Sequence, residues 1–210
     1  MGERTTPQTI VDVGVATGTP WLYAAFPAAK LVLIDPNPAC AADLVRLKAQ
    51  YGADVYLHGL GAAPGELTLH VDVRVPSSSG FLRVTDAFRA VRGAEREYSD
   101  VRVPITTLDV TLAGADYAEP LLLKIDTEGF ELEVLKGAEE TLTRTVAVIA
   151  EVSVVQRFAG SYQFADLIGW MQAHGFRVFD ILDVRTLGRN GPVNYVDLMF
   201  VRHEADAGPV

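Results

Sequence analysis

The chain is poor in cysteine, in positive charge and in long apolar runs. Its single Cys40 has no partner for an internal disulfide, which fits a reducing compartment. Lys and Arg number 18 against 27 Asp and Glu, for a formal net charge of −9. That sign opposes phosphate backbones, so nucleic acid is not expected as a partner. No apolar run approaches the about 20 residues that cross a bilayer. The start, Met1 to Pro7, lacks the apolar core of a secretion signal. A cytoplasmic protein with no membrane partner is the expectation. Two nucleotide fingerprints are also missing. The spacing G-x-G-x-x-G does not occur after the first strand, and no lysine follows a glycine-rich loop. What remains is an ordinary enzyme-like composition, 49% apolar and 21% charged over 210 residues, enough for one domain with a full core.

The order of elements is legible from periodicity. Thr9–Gly14 is a buried strand, followed by a glycine turn over Gly14–Gly18. Thr19-Pro20 supplies an N-cap and a first-turn proline for a short helix ending at Phe26. Lys30–Asp35 is a second strand ending in an acid. Asn37-Pro38 repeats the cap signal for a helix through Tyr51, closed by Gly52. Asp54–His58 is a third strand. Short loops between these units imply parallel pairing.

The pattern then changes. Leu67, Leu69, Val71, Val73 and Val75 alternate with polar residues, the mark of a half-buried antiparallel strand. Ser77–Gly80 is expected as a mobile loop. Residues 81–100 form a polar insertion whose Arg83, Arg89, Arg92 and Arg96 alternate with acids, a solvated face. Val101–Leu108 is extended and ends at Asp109. Leu121–Ile125 is a buried strand running into Asp126, and a helix is expected from Glu128 to about Leu142. Val146–Glu151 is another buried strand, Tyr162–His174 an amphipathic helix, and Phe176–Leu182 and Asn194–Arg202 the last strands, before a frayed tail over 203–210. The chain is expected to be one domain over 1–210, with a substrate-side insertion at about 66–108.

Two acids, Asp12 and Asp35, each end one of two consecutive strands, and ligands in open α/β sheets bind beyond the carboxyl ends of strands. Asp12 stands two residues before Gly14, where it would repel a phosphate but suit a cationic amine. Asp35 stands where a carboxylate accepts ribose hydroxyls. S-adenosylmethionine has an amine, a sulfonium and a ribose, and no phosphate. A nucleoside-type cofactor is therefore expected, held by Asp12, Gly14, Thr17, Gly18, Asp35, Pro36 and Asn37.

The residues also resemble a known family. Asp12-x-Gly14-x-x-x-Gly18, Asp35-Pro36-Asn37-Pro38, Thr107-Leu108-Asp109 and Lys124-Ile125-Asp126-Thr127-Glu128-Gly129-x-Glu131 are similar to the FkbM-type methyltransferases, over roughly residues 9 to 155. The resemblance implies a class I methyltransferase fold: a Rossmann-like three-layer α/β sandwich around a mostly parallel seven-stranded sheet, with the last strand antiparallel and a small antiparallel insertion. It also implies methylation of a hydroxyl on a sugar or natural product in a biosynthetic pathway. Two departures stand out. Val15-Ala16 replaces the family's Ala-Asn, and Asp35 replaces a Glu. Little chain precedes the first strand, so residues 77–103 are expected to cover the substrate.

Methyl transfer to oxygen needs in-line approach, removal of a proton and exclusion of water. Asp126 is the expected base or substrate orienter, with Glu128 and Glu151 in support. A divalent cation between such carboxylates would lower the pKa of a bound hydroxyl, but no metal ligand is assigned. His58, ending the third strand, is a candidate to face the adenine or to act as the base, against the commoner structural role of a lone histidine at a strand end. Lys124 is given no chemistry. The partners expected are a small-molecule hydroxyl acceptor and a second copy in a homodimer. The contrasting expectation is an inactive partner subunit on the same scaffold.

Overall fold

The computed structural model describes residues 6–92 and 96–203. Its backbone is built on ten strands and seven α-helices among those residues. The first half alternates: β1 (Thr9–Val13), α1 (Pro20–Ala25), β2 (Lys30–Ile34), α2 (Ala41–Tyr51) and β3 (Asp54–Tyr56). A small unit follows, with β4 (Gly59–Leu60), β5 (Gly65–Asp72), α3 (Asp86–Arg92), β6 (Tyr98–Thr106) and α4 (Leu108–Leu112). The second half runs β7 (Leu121–Ile125), α5 (Glu131–Lys136), α6 (Glu139–Thr143), β8 (Thr145–Ser153), α7 (Phe164–Ala173), β9 (Phe176–Thr186) and β10 (Val193–Arg202).

Seven strands form one sheet in the order β3-β2-β1-β7-β8-β10-β9. β10 alone runs against its neighbours, and the other six are parallel to one another. This is the expected architecture. β1 and β7 lie side by side, in register from Thr9 opposite Leu121 to Val13 opposite Ile125. The chain winds outward from β1 to β3 on one side, then returns to β7 on the other. That reversal places the tips of β1 and β7 at the topological switch point, where such sheets bind ligands.

Alternation along the strands builds two cores. Ile10, Leu31, Leu33 and Leu122 face α1 and α2, meeting Leu22, Tyr23, Leu44 and Leu47. Val11, Val13, Val32 and Ile34 face the other way, against Leu108, Val134, Leu135, Leu142, Leu167 and Met171 from α4–α7. Burying each such leucine contributes about 1.5–3 kcal/mol. β4, β6 and β5 make a separate three-stranded sheet, with β5 antiparallel to β6 as the alternating pattern requires. Leu69, Val71, Val103 and Ile105 form its own small core.

Several elements differ from the sequence-based expectation. The third strand stops at Tyr56, and Gly59–Leu60 pair with β6 in the small sheet instead. The long helix expected over 128–142 is two short ones. Glu128 has φ 53°, a left-handed conformation that no helix interior accepts. A second break falls at Gly137, where a Cβ would lie 2.1 Å from the Gly61 carbonyl oxygen. α6 restarts because the Asp109 carboxylate accepts the N–H groups of Glu140 (3.0 Å) and Thr141 (2.7 Å). Ser77–Gly80 is tied down rather than loose. Ser79 Oγ donates to Pro76 O at 2.7 Å, and Asn37 Nδ2 donates to Pro76 O at 3.0 Å. The arginines of the insertion are paired with acids. Arg83 meets Asp100, Arg89 meets Asp86 and Arg96 meets Asp72. The Arg92 side chain and the tail from residue 204 lie outside the described residues.

Candidate active site

An open cleft of about 520 Å³ lies over the tips of β1, β2 and β7. Its floor is Val13, Gly14, Ala16, Asp35 and Asp126. His58, Leu60, Leu69 and Phe81 line one flank, and Pro76–Gly80 supplies part of the rim. No lysine or arginine is among its described lining residues.

The floor is shaped by a tight turn. Gly14 has φ 77°, and a Cβ there would lie 1.8 Å from the Asp126 carbonyl oxygen. Only glycine lets the first turn pass so close to the end of β7. Ala16, at φ 48°, holds a left-handed conformation without glycine's freedom. It is kept there by Asp35, whose Oδ2 accepts the Ala16 N–H at 2.8 Å. Asp35 Oδ1 accepts the Asn37 N–H at 2.8 Å. Each carboxylate oxygen thus keeps a lone pair for another donor. Burial raises the Asp35 pKa, and the two backbone N–H groups pull against that rise.

The remaining cofactor residues divide. Pro36 and Asn37 line the cleft. Asn37 also braces it, since its Oδ1 accepts the Ala39 N–H at 3.0 Å while its amide holds the 76–79 turn. Thr17 is exposed and is not among the lining residues, and Gly18 packs on Leu47. Asp12 lies beneath the turn, fully buried. Its Oδ2 accepts Thr19 Oγ1–H (2.8 Å) and Tyr23 O–H (2.5 Å). Thr19 therefore spends its hydroxyl on Asp12 and does not cap α1 through its side chain. Asp12 Oδ1 has no hydrogen-bond partner among the described residues and lies 3.5 Å from Lys124 Nζ.

Lys124 reaches Asp126 Oδ2 as well, at 3.4 Å. Burial disfavours its charge, but Asp12 and Asp126 outweigh burial and hold its pKa above the ordinary lysine value. The register explains the grouping. Ile125 stands opposite Ala150, so Asp126 and Glu151 follow side by side, and Asp197 pairs with Glu151. Residues two apart on a strand share a face, so Asp12, Lys124 and Asp126 look the same way.

Of the three expected catalytic acids, Asp126 alone lines the cleft, with 39% of its side chain exposed. Glu151 and Glu128 are gathered by a residue that sequence reasoning missed. Arg157 is 4% exposed, with Nη2 against Glu151 and Nη1 3.3 Å from Glu128. Its Nε donates to Ser153 Oγ at 2.9 Å, and its guanidinium lies over the Tyr195 ring at 4.6 Å. Burial lifts the Glu151 pKa well above the ordinary range, Asp126 lifts it further, and Arg157 opposes both. Asp197 is pushed up to about 6 by burial and by Asp126, with Lys124 opposing. Among the described residues, no three His, Cys, Asp or Glu side chains converge as metal ligands.

Glu131 is the second missed residue. It is fully buried and accepts the N–H groups of Thr127 (2.9 Å) and Gly129 (3.1 Å) and the Tyr162 hydroxyl (2.7 Å). It fixes the loop that carries Asp126 and Glu128. Its place in the Asp126-to-Glu131 motif was visible, but helix periodicity hid its inward direction.

A family model described as the methyltransferase FkbM domain matches residues 12–178. No curated protein matches the chain. Among solved structures, the FkbM methyltransferase of Methylobacillus flagellatus KT superposes with a TM-score of 0.57 at 15% identity. The alignment covers 93% of this chain and 44% of that one, so the chain spans under half the length of that relative. An uncharacterized protein from Listeria monocytogenes serotype 4b superposes with a TM-score of 0.50 at 10% identity, over 99% of this chain and 66% of its own. The two likenesses are of fold. The family match extends from the buried acid beneath the first turn into β9, and the chain belongs to the methyltransferase FkbM domain family.

Proposed function

We propose that this protein transfers a methyl group from S-adenosylmethionine to a hydroxyl of a small molecule, a sugar or natural product, in a cytoplasmic biosynthetic pathway. One observation carries the reading. A single cleft at the switch point joins an acid suited to ribose hydroxyls, Asp35, to an exposed acid at the tip of β7, Asp126, and no described cation lines it. A phosphate-bearing cofactor would find no partner charge there, whereas S-adenosylmethionine carries no phosphate.

The cleft residues fit that cofactor. Asp35 has one free lone pair on each oxygen for the two ribose hydroxyls. Gly14 and Ala16 bring the backbone to the cleft floor, and Leu60, Leu69 and Phe81 offer an apolar wall for a base. Asp12 and Lys124 act from beneath, setting the field and the position of Asp126. When bound, the cofactor supplies an electrophilic methyl group on a sulfonium.

Asp126 orients the acceptor hydroxyl and takes its proton as the new bond forms. Proton removal by a positioned group contributes roughly 10²–10⁴-fold. Glu151 and Glu128, clamped by Arg157, form a buried cluster behind it. The braced turn at 76–80 shields one side of the cleft from water. Two variants test the assignment. Asp35→Ala should weaken binding of S-adenosylhomocysteine by at least about tenfold, the loss of one charge-assisted hydrogen-bond pair. Asp126→Ala should bind as wild type and transfer no methyl group to a panel of hydroxylated sugars and natural products. Equal loss of binding in both would remove Asp126 from the reacting position.

A further inference from the structure

β9 is the outer strand of the seven-stranded sheet, with one side of its backbone unpaired by any described strand. It runs for 11 residues. Val178, Phe179, Ile181, Leu182 and Val184 on it are each 38–57% exposed. A long apolar edge offers a template for pairing with another chain, and single-copy proteins blunt such edges.

The register with β10 shows which way each side chain points. Asp180 stands opposite Met199 and Arg185 opposite Tyr195, on the face that carries Asp197. Ile181 stands opposite Leu198 and Val184 opposite Val196, on the face that carries α7. The ladder skips Leu182 and sets Asp183 opposite Asp197, so Asp180 and Arg185 lie on the charged face and Ile181 and Val184 on the apolar face, symmetric about the link between 182 and 183. The charges at the two ends are opposite.

We propose that β9 pairs antiparallel with β9 of a second copy, centred between Leu182 and Asp183, to make a two-fold dimer with one continuous sheet. This register places Asp180 opposite the partner's Arg185 and Ile181 opposite the partner's Val184, each contact occurring twice. The two residues of each of these pairs then lie on the same face of the sheet. Moving the centre by one residue toward the N-terminus sets Asp180 against Asp183. Moving it one residue the other way faces Asp180 with Leu187 and Arg185 with Leu182. Self-complementarity of this kind is what a two-fold contact demands. It selects a second copy over an unrelated strand. In the separate chain Arg185 pairs within its own strand, Nε to Asp183 Oδ2 at 2.6 Å. The dimer places it between two acids.

The test is sedimentation equilibrium of the full chain and of D180R, R185D and the double variant D180R/R185D, with circular dichroism on each. The dimer should form in the wild type at micromolar concentration. Either single reversal puts like charges opposite each other twice, and should weaken the dimer by at least about tenfold. The double variant restores opposite charges and should recover most of the loss. A wild type that stays monomeric at roughly 100 μM overturns the proposal, as does a dimer that neither single reversal weakens or that the double variant fails to restore. The proposed chemistry is untouched by any of these outcomes, since β9 contributes no residue to the cleft.

Discussion

Replacing Arg157 with methionine should cost about 3–5 kcal/mol at pH 8, the range for removing one partner of a buried ion pair. The side chain is 4% exposed and is shared between Glu151 and Glu128. Methionine fills much of the space but removes the cation that Glu151 and Glu128 share. Glu151 already titrates well above the ordinary range, through burial and Asp126, with Arg157 opposing. Without Arg157 it must rise further. A carboxyl whose folded pKa exceeds its unfolded value costs stability as pH climbs from the unfolded value, near 4.3, through the folded one. Below that window the group is neutral in both states and the cost vanishes. The deficit of Arg157→Met should therefore be largest at pH 8 and shrink by pH 5. Urea unfolding followed by circular dichroism measures it directly, provided the m-value is unchanged. A deficit under about 1 kcal/mol at pH 8, or one equal at both pH values, would mean that the guanidinium is not holding buried negative charge. Adding Glu151→Gln to the variant should recover part of the loss, because the charge of the more buried carboxylate is then gone.

Ala16→Asn should stabilise the chain by about 0.5–1 kcal/mol, because asparagine tolerates the left-handed φ of 48° better than alanine does; a lower melting temperature would contradict this. Gly14→Ala should destabilise by more than about 2 kcal/mol, since its Cβ would meet the Asp126 carbonyl oxygen at 1.8 Å. An unchanged calorimetric melt would show that the turn is less tightly packed on β7 than described. Asp197, held at about 6, destabilises the folded state as pH rises from about 4 to 6. Asp197→Asn should therefore be more stable than wild type at pH 8, by about 1 kcal/mol after allowing for solvent screening of a half-buried group. The gain should disappear at pH 4, and a gain that persists there would assign it to packing instead.

The sheet was legible because its signals are local. Buried runs such as Leu121–Ile125 end in acids, and prolines at 20 and 38 mark the starts of the first two helical segments. Those features alone put Asp35 and Asp126 at strand tips, and the structure has both on one cleft, with β1 between their strands. What stayed hidden depends on contacts between distant segments. Asp12 looked ligand-facing from its spacing to Gly14, yet Thr19 and Tyr23 from α1 turn back to claim it. The break at Gly137 comes from the approach of Gly61, which no helix pattern encodes. Arg157 sits in the 154–163 connection between β8 and α7, outside any periodic segment, and only the fold reveals that it clamps two acids from different strand ends. The edge character of β9 was equally invisible, since Phe176–Leu182 has the apolar content of a buried strand.

Calorimetric titration with S-adenosylmethionine and with S-adenosylhomocysteine, with and without Mg²⁺, tests the central claim most directly. The wild type should bind both at micromolar concentration, with binding largely lost in Asp35→Ala and kept in Asp126→Ala. A folded wild-type sample that gives no binding heat with either compound would contradict the assignment of the cleft, and the proposed methyl transfer would fall with it.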